Sequence, residues 1–258
     1  MHITHLTSAA NPHLKLARSL HKRRGRRKHQ QVLLEGERLI ADSISAGFPP
    51  ALFFFSSESE QDHAQLLQKA AAAGAKLFSV PPQLLAEISS TVTPQGVVAV
   101  APIPHVAVGN SGLSLVLDGV RDPGNLGALL RSAAAADVDQ VIILPGVTDP
   151  WSPKALRAGM GAHFRVALRP VPNAEEARAL LQDRHLYLAD ARGDILYTEA
   201  LWPQPSALIL GGETEKPGVL AQDPDVIPIA IPMARGVESL NVAVAGGIIL
   251  FEAVRQRS

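Results

Sequence analysis

The sequence predicts an α/β protein of two domains, the second built on a parallel sheet with helices on both faces. Three observations predict it. Short unbroken apolar runs, such as ALFFF at 51–55, GVVAV at 96–100, QVIIL at 140–144 and ALIL at 207–210, are strands buried on both sides. Ala- and Leu-rich segments opened by proline or closed by glycine fall between them, so strands alternate with helices. The stretch APIPHVAVGNSG at 101–112 interrupts that alternation as a linker. The expected division is a small α/β domain over 1–105, a linker over 106–112 and a larger domain over 113–258.

In order along the chain, Asn11-Pro12 opens a helix whose apolar side is Leu14, Leu16, Ala17 and Leu20. Val32–Leu34 is a short strand, and Glu37–Ala46 a helix stopped by Gly47. Residues 60–73 form a helix closed by Gly74, Lys76–Val80 a strand, and Pro81-Pro82 opens a helix through Ile88. In the second domain, Ser114–Leu117 is a strand, DGVRDPGNLG at 118–127 a turn-rich loop, and Leu126–Ala136 a helix. Helices follow at Pro153–Met160 and 174–182, with strands at Phe164–Leu168, Leu186–Ala189 and Asp225–Ile231. The last apolar segment, after Asn241, is a helix buried on more than one side, capped by Ser239 or Asn241. Ligands in parallel sheets bind at the carboxyl ends of the strands, where the polar loops 118–125, 211–218 and 232–241 sit.

Composition excludes several classes. The 258 residues are 47% hydrophobic, enough for a core, and contain no cysteine, which removes disulfide, thiolate and Cys-zinc chemistry. The nine histidines lack metal-ligand spacing, so no metal is expected. No signal-peptide core and no apolar run of about 18 residues occurs, which makes a cytoplasmic protein without a membrane span the default expectation. There is no Walker Lys-Ser/Thr and no GxGxxG, so neither nucleotide hydrolysis nor a dinucleotide site has support, and Ser239 lacks the partners of a hydrolase triad. Charge is segregated. Residues 1–34 hold eight Lys/Arg and no acid, leaving 16 of the 24 basic residues against all 24 acidic ones. Lys22, Arg23, Arg24, Arg26, Arg27 and Lys28 are the candidate phosphate contacts, a patch that reads backbone rather than bases.

Three stretches carry a resemblance: LDGVRDPGNLGALLRSAAAADVD at 117–139, LILGGETEKPG at 208–218 and IPMARGVESLNVAVAGGIILFEA at 231–253. In this order they resemble the SpoU/TrmH branch of the SPOUT RNA methyltransferases. Residues 1–105 are similar to the small RNA-binding domain that often precedes the catalytic one. The resemblance implies a deep trefoil knot near the C-terminus, S-adenosylmethionine as cofactor, a homodimer, and methyl transfer to a ribose 2′-hydroxyl of structured RNA. Ribosomal RNA is the first expectation and transfer RNA the second. The alternative is a non-catalytic RNA-binding or ribosome-assembly protein on the same fold.

By the family pattern, Leu210, Gly211, Gly212, Ile231, Pro232, Met233 and Leu240 contact the cofactor, largely through backbone. Asn125, Arg131, Glu213, Ser239 and Asn241 are the catalytic set. Arginine stays protonated in proteins, so Arg131 is better suited to hold a phosphate and stabilise a developing alkoxide than to take a proton. Asn125 would orient Arg131 or the ribose, and Glu213 would anchor a guanidinium or help fix its loop. Ser239 and Asn241 would order the cofactor loop. The segment Thr214–Pro217 departs from the family pattern, being longer and poorer in glycine than relatives commonly have.

Overall fold

The computed structural model describes residues 1–91, 95–211 and 220–258. It divides into two compact units, Met1–Pro104 with Trp151–Phe164, and His105–Pro150 with Arg165–Ser258. In chain order the elements begin β1 (Ile3–His5), α1 (Pro12–Ser19), α2 (Arg23–His29), β2 (Gln31–Glu35), α3 (Glu37–Ser45), β3 (Leu52–Ser56) and α4 (Ala64–Ala72). Next come β4 (Lys76–Val80), α5 (Pro82–Ile88), β5 (Val97–Pro102), β6 (Leu113–Asp118), α6 (Pro123–Ala135), β7 (Gln140–Ile143) and α7 (Pro153–Gly159). The chain closes with β8 (Ala167–Pro170), α8 (Ala174–Ala179), β9 (His185–Ala189), β10 (Ile195–Leu196), β11 (Ser206–Gly211), β12 (Val226–Ala230) and α9 (Val242–Arg257).

The first unit is a mixed sheet in the order β1-β4-β3-β5-β2, with β5 antiparallel to both neighbours. Strand periodicity explains its run of phenylalanines. Phe53 and Phe55 enter the core on one face, while Phe54 enters the core on the other. Residues 151–164, which the sequence reading groups with the second domain, pack in this unit, where Leu156 and Phe164 complete the first of those cores. Glu35 fastens the same region. Its carboxylate accepts from the backbone N–H and hydroxyl of both Ser90 and Thr91, and Arg157 donates to the Ser90 hydroxyl at 2.6 Å. Burial pushes the Glu35 carboxyl up, but the Ser90 and Thr91 hydrogen bonds outweigh it and hold the group below its usual range.

In the second unit, among the described residues, seven strands run in the order β10-β12-β9-β11-β6-β7-β8, every neighbouring pair parallel. Their carboxyl ends therefore share one edge. Several expected boundaries move, among them the helix end expected at 182, which falls at Ala179, and two with a visible cause. α6 starts at Pro123 rather than Leu126, because the Asp122 side chain accepts from the Asn125 N–H and Pro123 needs no donor partner at the first helical position. The strand expected at 164–168 begins at Ala167, after a 3₁₀ turn over Ala162–Phe164. β1 and β10 have no counterpart in the sequence reading; both are too short to show a period.

α9 carries three different faces, which is why its apolar residues surround it. Gly246 lies so close to its neighbours that a Cβ would stand 2.5 Å from Leu129 of α6 and 2.7 Å from Leu210 of β11. Val244, Ile248 and Phe251 form an outward apolar stripe, 52%, 37% and 51% exposed. The C-terminal end is pinned by Arg257, whose guanidinium donates to the carbonyls of Trp202, Gln204, Ser111 and Gly112. Nearby, Glu252 accepts from Arg255 and Gln256, in that order of influence, and its carboxyl falls to about 2.

Two outcomes are expected. Gly246→Val overpacks the α9–α6 contact and lowers stability by about 1–3 kcal/mol in denaturant unfolding, the usual penalty for a forced methyl or two. Because the folded pKa of Glu252 lies below the ordinary 4.5, its stabilisation is complete above that value and disappears as pH falls toward 2. The native protein should therefore lose more stability over that acid window than Glu252→Gln does.

Candidate active site

The order β12-β9-β11 brings three carboxyl ends side by side. Leu210 and Gly211 finish β11, Ile231 and Met233 follow β12, and Ala189 finishes β9 with Asp190 and Ala191 after it; together they border a cavity of about 260 Å³. Val242, Ala245 and Ile249, one face of α9, form the opposite wall, and Ser239 and Leu240 close its side. The lining is mainly aliphatic. Among the described residues, a Cβ at Gly211 would meet nothing within 4 Å. That combination suits a flat apolar ring held by main-chain hydrogen bonds.

The loop from β12 to α9 is shaped by a tight turn. Val237 N–H donates to the Ala234 carbonyl at 3.3 Å, and Arg235 and Gly236 between them have φ of 58° and 72°. Two consecutive left-handed residues make a turn in which glycine is the easy second member and Arg235 the uncommon first. α9 then begins at a full cap. The Asn241 Oδ1 accepts from Ala243 N–H at 2.9 Å and Val244 N–H at 3.3 Å. Its Nδ2 donates to Asn125 Oδ1 at 3.0 Å, which ties the start of α9 to the first turn of α6. The cap fixes which atom of Asn241 is oxygen, and the pair then fixes Asn125 as acceptor.

The expected site residues divide as follows. Leu210, Gly211, Ile231, Met233, Ser239 and Leu240 border the cavity. Pro232 is exposed and does not border it. Gly212 and Glu213 lie outside the described residues. Asn125 and Asn241 meet each other, and of the two partners expected for Asn125, Arg131 or the ribose, Arg131 is not bonded to it among the described residues. Arg131 is exposed on α6 and, among the described residues, makes no hydrogen bond or ion pair. On a helix it stands about 120° around the axis and about 9 Å along it from Asn125, so it faces a different direction. The sequence reading passed over Asp190, the first residue after β9; an acid at a strand's carboxyl end followed by a glycine turn, Asp-Ala-Arg-Gly, was the available signal.

The basic patch also divides. Lys22, Arg23, Arg24, Arg27 and Lys28 are exposed along α2. Arg26 is buried, and its Nη1 donates to the carbonyls of Leu20 at 2.6 Å and His21 at 2.9 Å. It satisfies acceptors left open at the end of α1 and is withdrawn as a phosphate contact. Gly25 belongs to the same crossing, since a Cβ there would fall 2.0 Å from the Ser19 carbonyl oxygen.

Comparison with known proteins agrees with this geometry. Residues 112–251 match the SpoU rRNA Methylase family, and residues 11–99 match the MRM3-like substrate binding domain. The zebrafish (Danio rerio) mitochondrial rRNA methyltransferase 3A is 35% identical over 90% of this chain, which spans 65% of that protein's length. A 23S rRNA guanosine 2′-O-methyltransferase of Bacillus subtilis is 27% identical, covering 95% of this chain and 97% of its own. The crystal structure of an AdoMet-bound rRNA methyltransferase from Sinorhizobium meliloti superposes with a TM-score of 0.85 at 28% identity over 98% of both chains.

Asn241→Ala removes the cap of α9 and its link to α6 together. A loss of about 1–2 kcal/mol is expected, read as a midpoint shift of about 2–8 °C by calorimetry.

Proposed function

The chain belongs to the SpoU rRNA methylase family, and from that premise we propose that it transfers a methyl group from S-adenosylmethionine to a ribose 2′-hydroxyl of ribosomal RNA. The observation that carries the reading is the cavity at the carboxyl ends of β9, β11 and β12, with an aliphatic lining and Gly211, which has no side chain, on its border. Leu210, Gly211, Ile231, Met233 and Leu240 would hold the adenosyl part. When bound, S-adenosylmethionine supplies a methyl carbon activated by positively charged sulfur. Transfer joins the ribose oxygen to that carbon, breaks the carbon–sulfur bond with its electron pair going to sulfur, and releases the hydroxyl proton.

Arg131 suits the substrate side. An exposed guanidinium with no partner among the described residues can grip a phosphate beside the target ribose and stabilise the oxygen as it loses its proton. The proton itself goes to a phosphate oxygen or water, because arginine stays charged at neutral pH. Asn125 and Asn241 act as a brace that keeps the two helix starts in register, and Ser239 borders the donor pocket. The five exposed cations of α2 would bind RNA backbone without reading sequence.

The same reading includes a homodimer, a trefoil-knotted backbone and a cytoplasmic setting. The stripe of Val244, Ile248 and Phe251 supports the dimer, since an exposed apolar face on a helix favours a partner surface. Its symmetry would put two α9 helices together, each close to its own pocket.

Arg131→Ala should keep its fold and its affinity for S-adenosylhomocysteine while methyl transfer drops by about 100-fold or more, the scale lost with one stabiliser of developing charge. Nucleotide-resolution mapping of 2′-O-methyl marks, in cells with and without the protein, would identify the site. Unchanged marks in ribosomal RNA would remove this assignment.

A further inference from the structure

Asp190 is the one ionisable side chain bordering the cavity among the described residues. β9 lies between β12 and β11, and Leu188 pairs with Ile209, so two positions further on Asp190 stands level with Gly211, which offers no side chain. The turn that holds Asp190 is rigidly seated. Its N–H donates to the Ile229 carbonyl of β12 at 3.0 Å, and Gly193 N–H donates to the Asp190 carbonyl at 3.0 Å. Gly193 is pressed against the backbone of β12, where a Cβ would lie 2.8 Å from the Ile229 carbonyl carbon. No other residue type fits there without moving the strand, so the turn is built to fix what precedes it.

The carboxylate has unused capacity. Oδ1 accepts from the Arg192 N–H at 2.9 Å and from its Nε at 3.4 Å, and Oδ2 accepts from Nη2 at 3.4 Å. Two of these bonds are long, and the Arg192 side chain is 89% exposed, so lone pairs on both oxygens remain open to a ligand. The Arg192 backbone N–H, and then its side chain, hold the Asp190 carboxyl below the usual range. The group is therefore an acceptor only at neutral pH.

Resting on the reading that this cavity takes S-adenosylmethionine, we propose that Asp190 is a specificity residue for the donor, its carboxylate accepting hydrogen bonds from the vicinal 2′- and 3′-hydroxyls of the nucleoside ribose. A diol offers two neutral donors at a spacing one carboxylate can span. The ammonium of the methionine part is the less suitable partner, because Arg192 already shares this carboxylate and would repel a second cation. The aliphatic walls beyond Asp190 then take the base, and Gly211 the main-chain contacts.

The test is a ligand-by-mutant cycle in calorimetry on the full chain. The probes are S-adenosylhomocysteine, its 2′-deoxyribose analogue, and 5′-methylthioadenosine, which keeps the diol and lacks the amino acid. The native chain should bind the deoxy analogue about 10- to 100-fold more weakly than S-adenosylhomocysteine, the range for a hydrogen bond to a charged acceptor. Asp190→Ala should bind both equally weakly, and should weaken 5′-methylthioadenosine by the same factor. Asp190→Asn, which preserves the shape of the turn, should fall between. A deoxy penalty that survives in Asp190→Ala overturns the proposal, as does a loss confined to the ligand that carries the ammonium. If the native chain binds none of the three probes, the cofactor reading of the cavity falls and this proposal with it. Tight native binding without diol discrimination removes only the role of Asp190.

Discussion

The hydrogen bond between Asn241 and Asn125 is the constraint on which the site depends. It joins residues 116 positions apart, and each end is already committed. The Asn241 oxygen caps α9, and the Asn125 N–H is held by Asp122 at the start of α6. The Asn241 side chain cannot turn without losing the cap as well, and the Asn125 backbone is held in the first turn of α6. The two helix starts, and the loop between β12 and α9, are thereby fixed relative to the edge of the parallel sheet. Gly246 does the complementary work within the helices, allowing α9 to come close enough to α6 and β11 that its Val242, Ala245 and Ile249 can serve as a pocket wall. One helix thus has a wall face, a packing face and an outward apolar face, and this accounts for a sequence with little amphipathic contrast.

Most strands were legible because burial on both faces leaves a continuous apolar run, as in Leu52–Ser56 and Ser206–Gly211. Helix starts were legible where a cap and a proline coincide, as at Asn11-Pro12. At Asp122-Pro123 the same signal was present, but the glycine and asparagine that follow read as loop, and α6 was begun three residues late. The cavity residues of β11 and of the β12–α9 loop were reached through the family resemblance, not through local physics.

What stayed hidden depends on spatial order. β9 precedes β11 in the chain yet lies between β11 and β12, and the Asp-Ala-Arg-Gly turn after β9 does not by itself show which strand ends its acid will stand beside. Asp190 was missed for that reason. Arg26 was misassigned for another. It sits in a run of like charges, and only the path of α2 across the end of α1 shows that one of those guanidinium groups is spent on backbone carbonyls. A charge count registers how much positive potential a segment has, but not which members of it point at solvent.

The segment Trp151–Phe164 departs from the run of the second unit in sequence and supplies core residues to the first. The two units are therefore interlaced in sequence although each is compact in space. A genetic exchange at the obvious seam near residue 105 would hand on a first unit lacking Leu156 and Phe164 and the Arg157 partner of Ser90. Inheritance of the two parts is coupled by this loan: a substrate-binding module transplanted onto another methylase must bring a matching excursion with it, or its new host must evolve one.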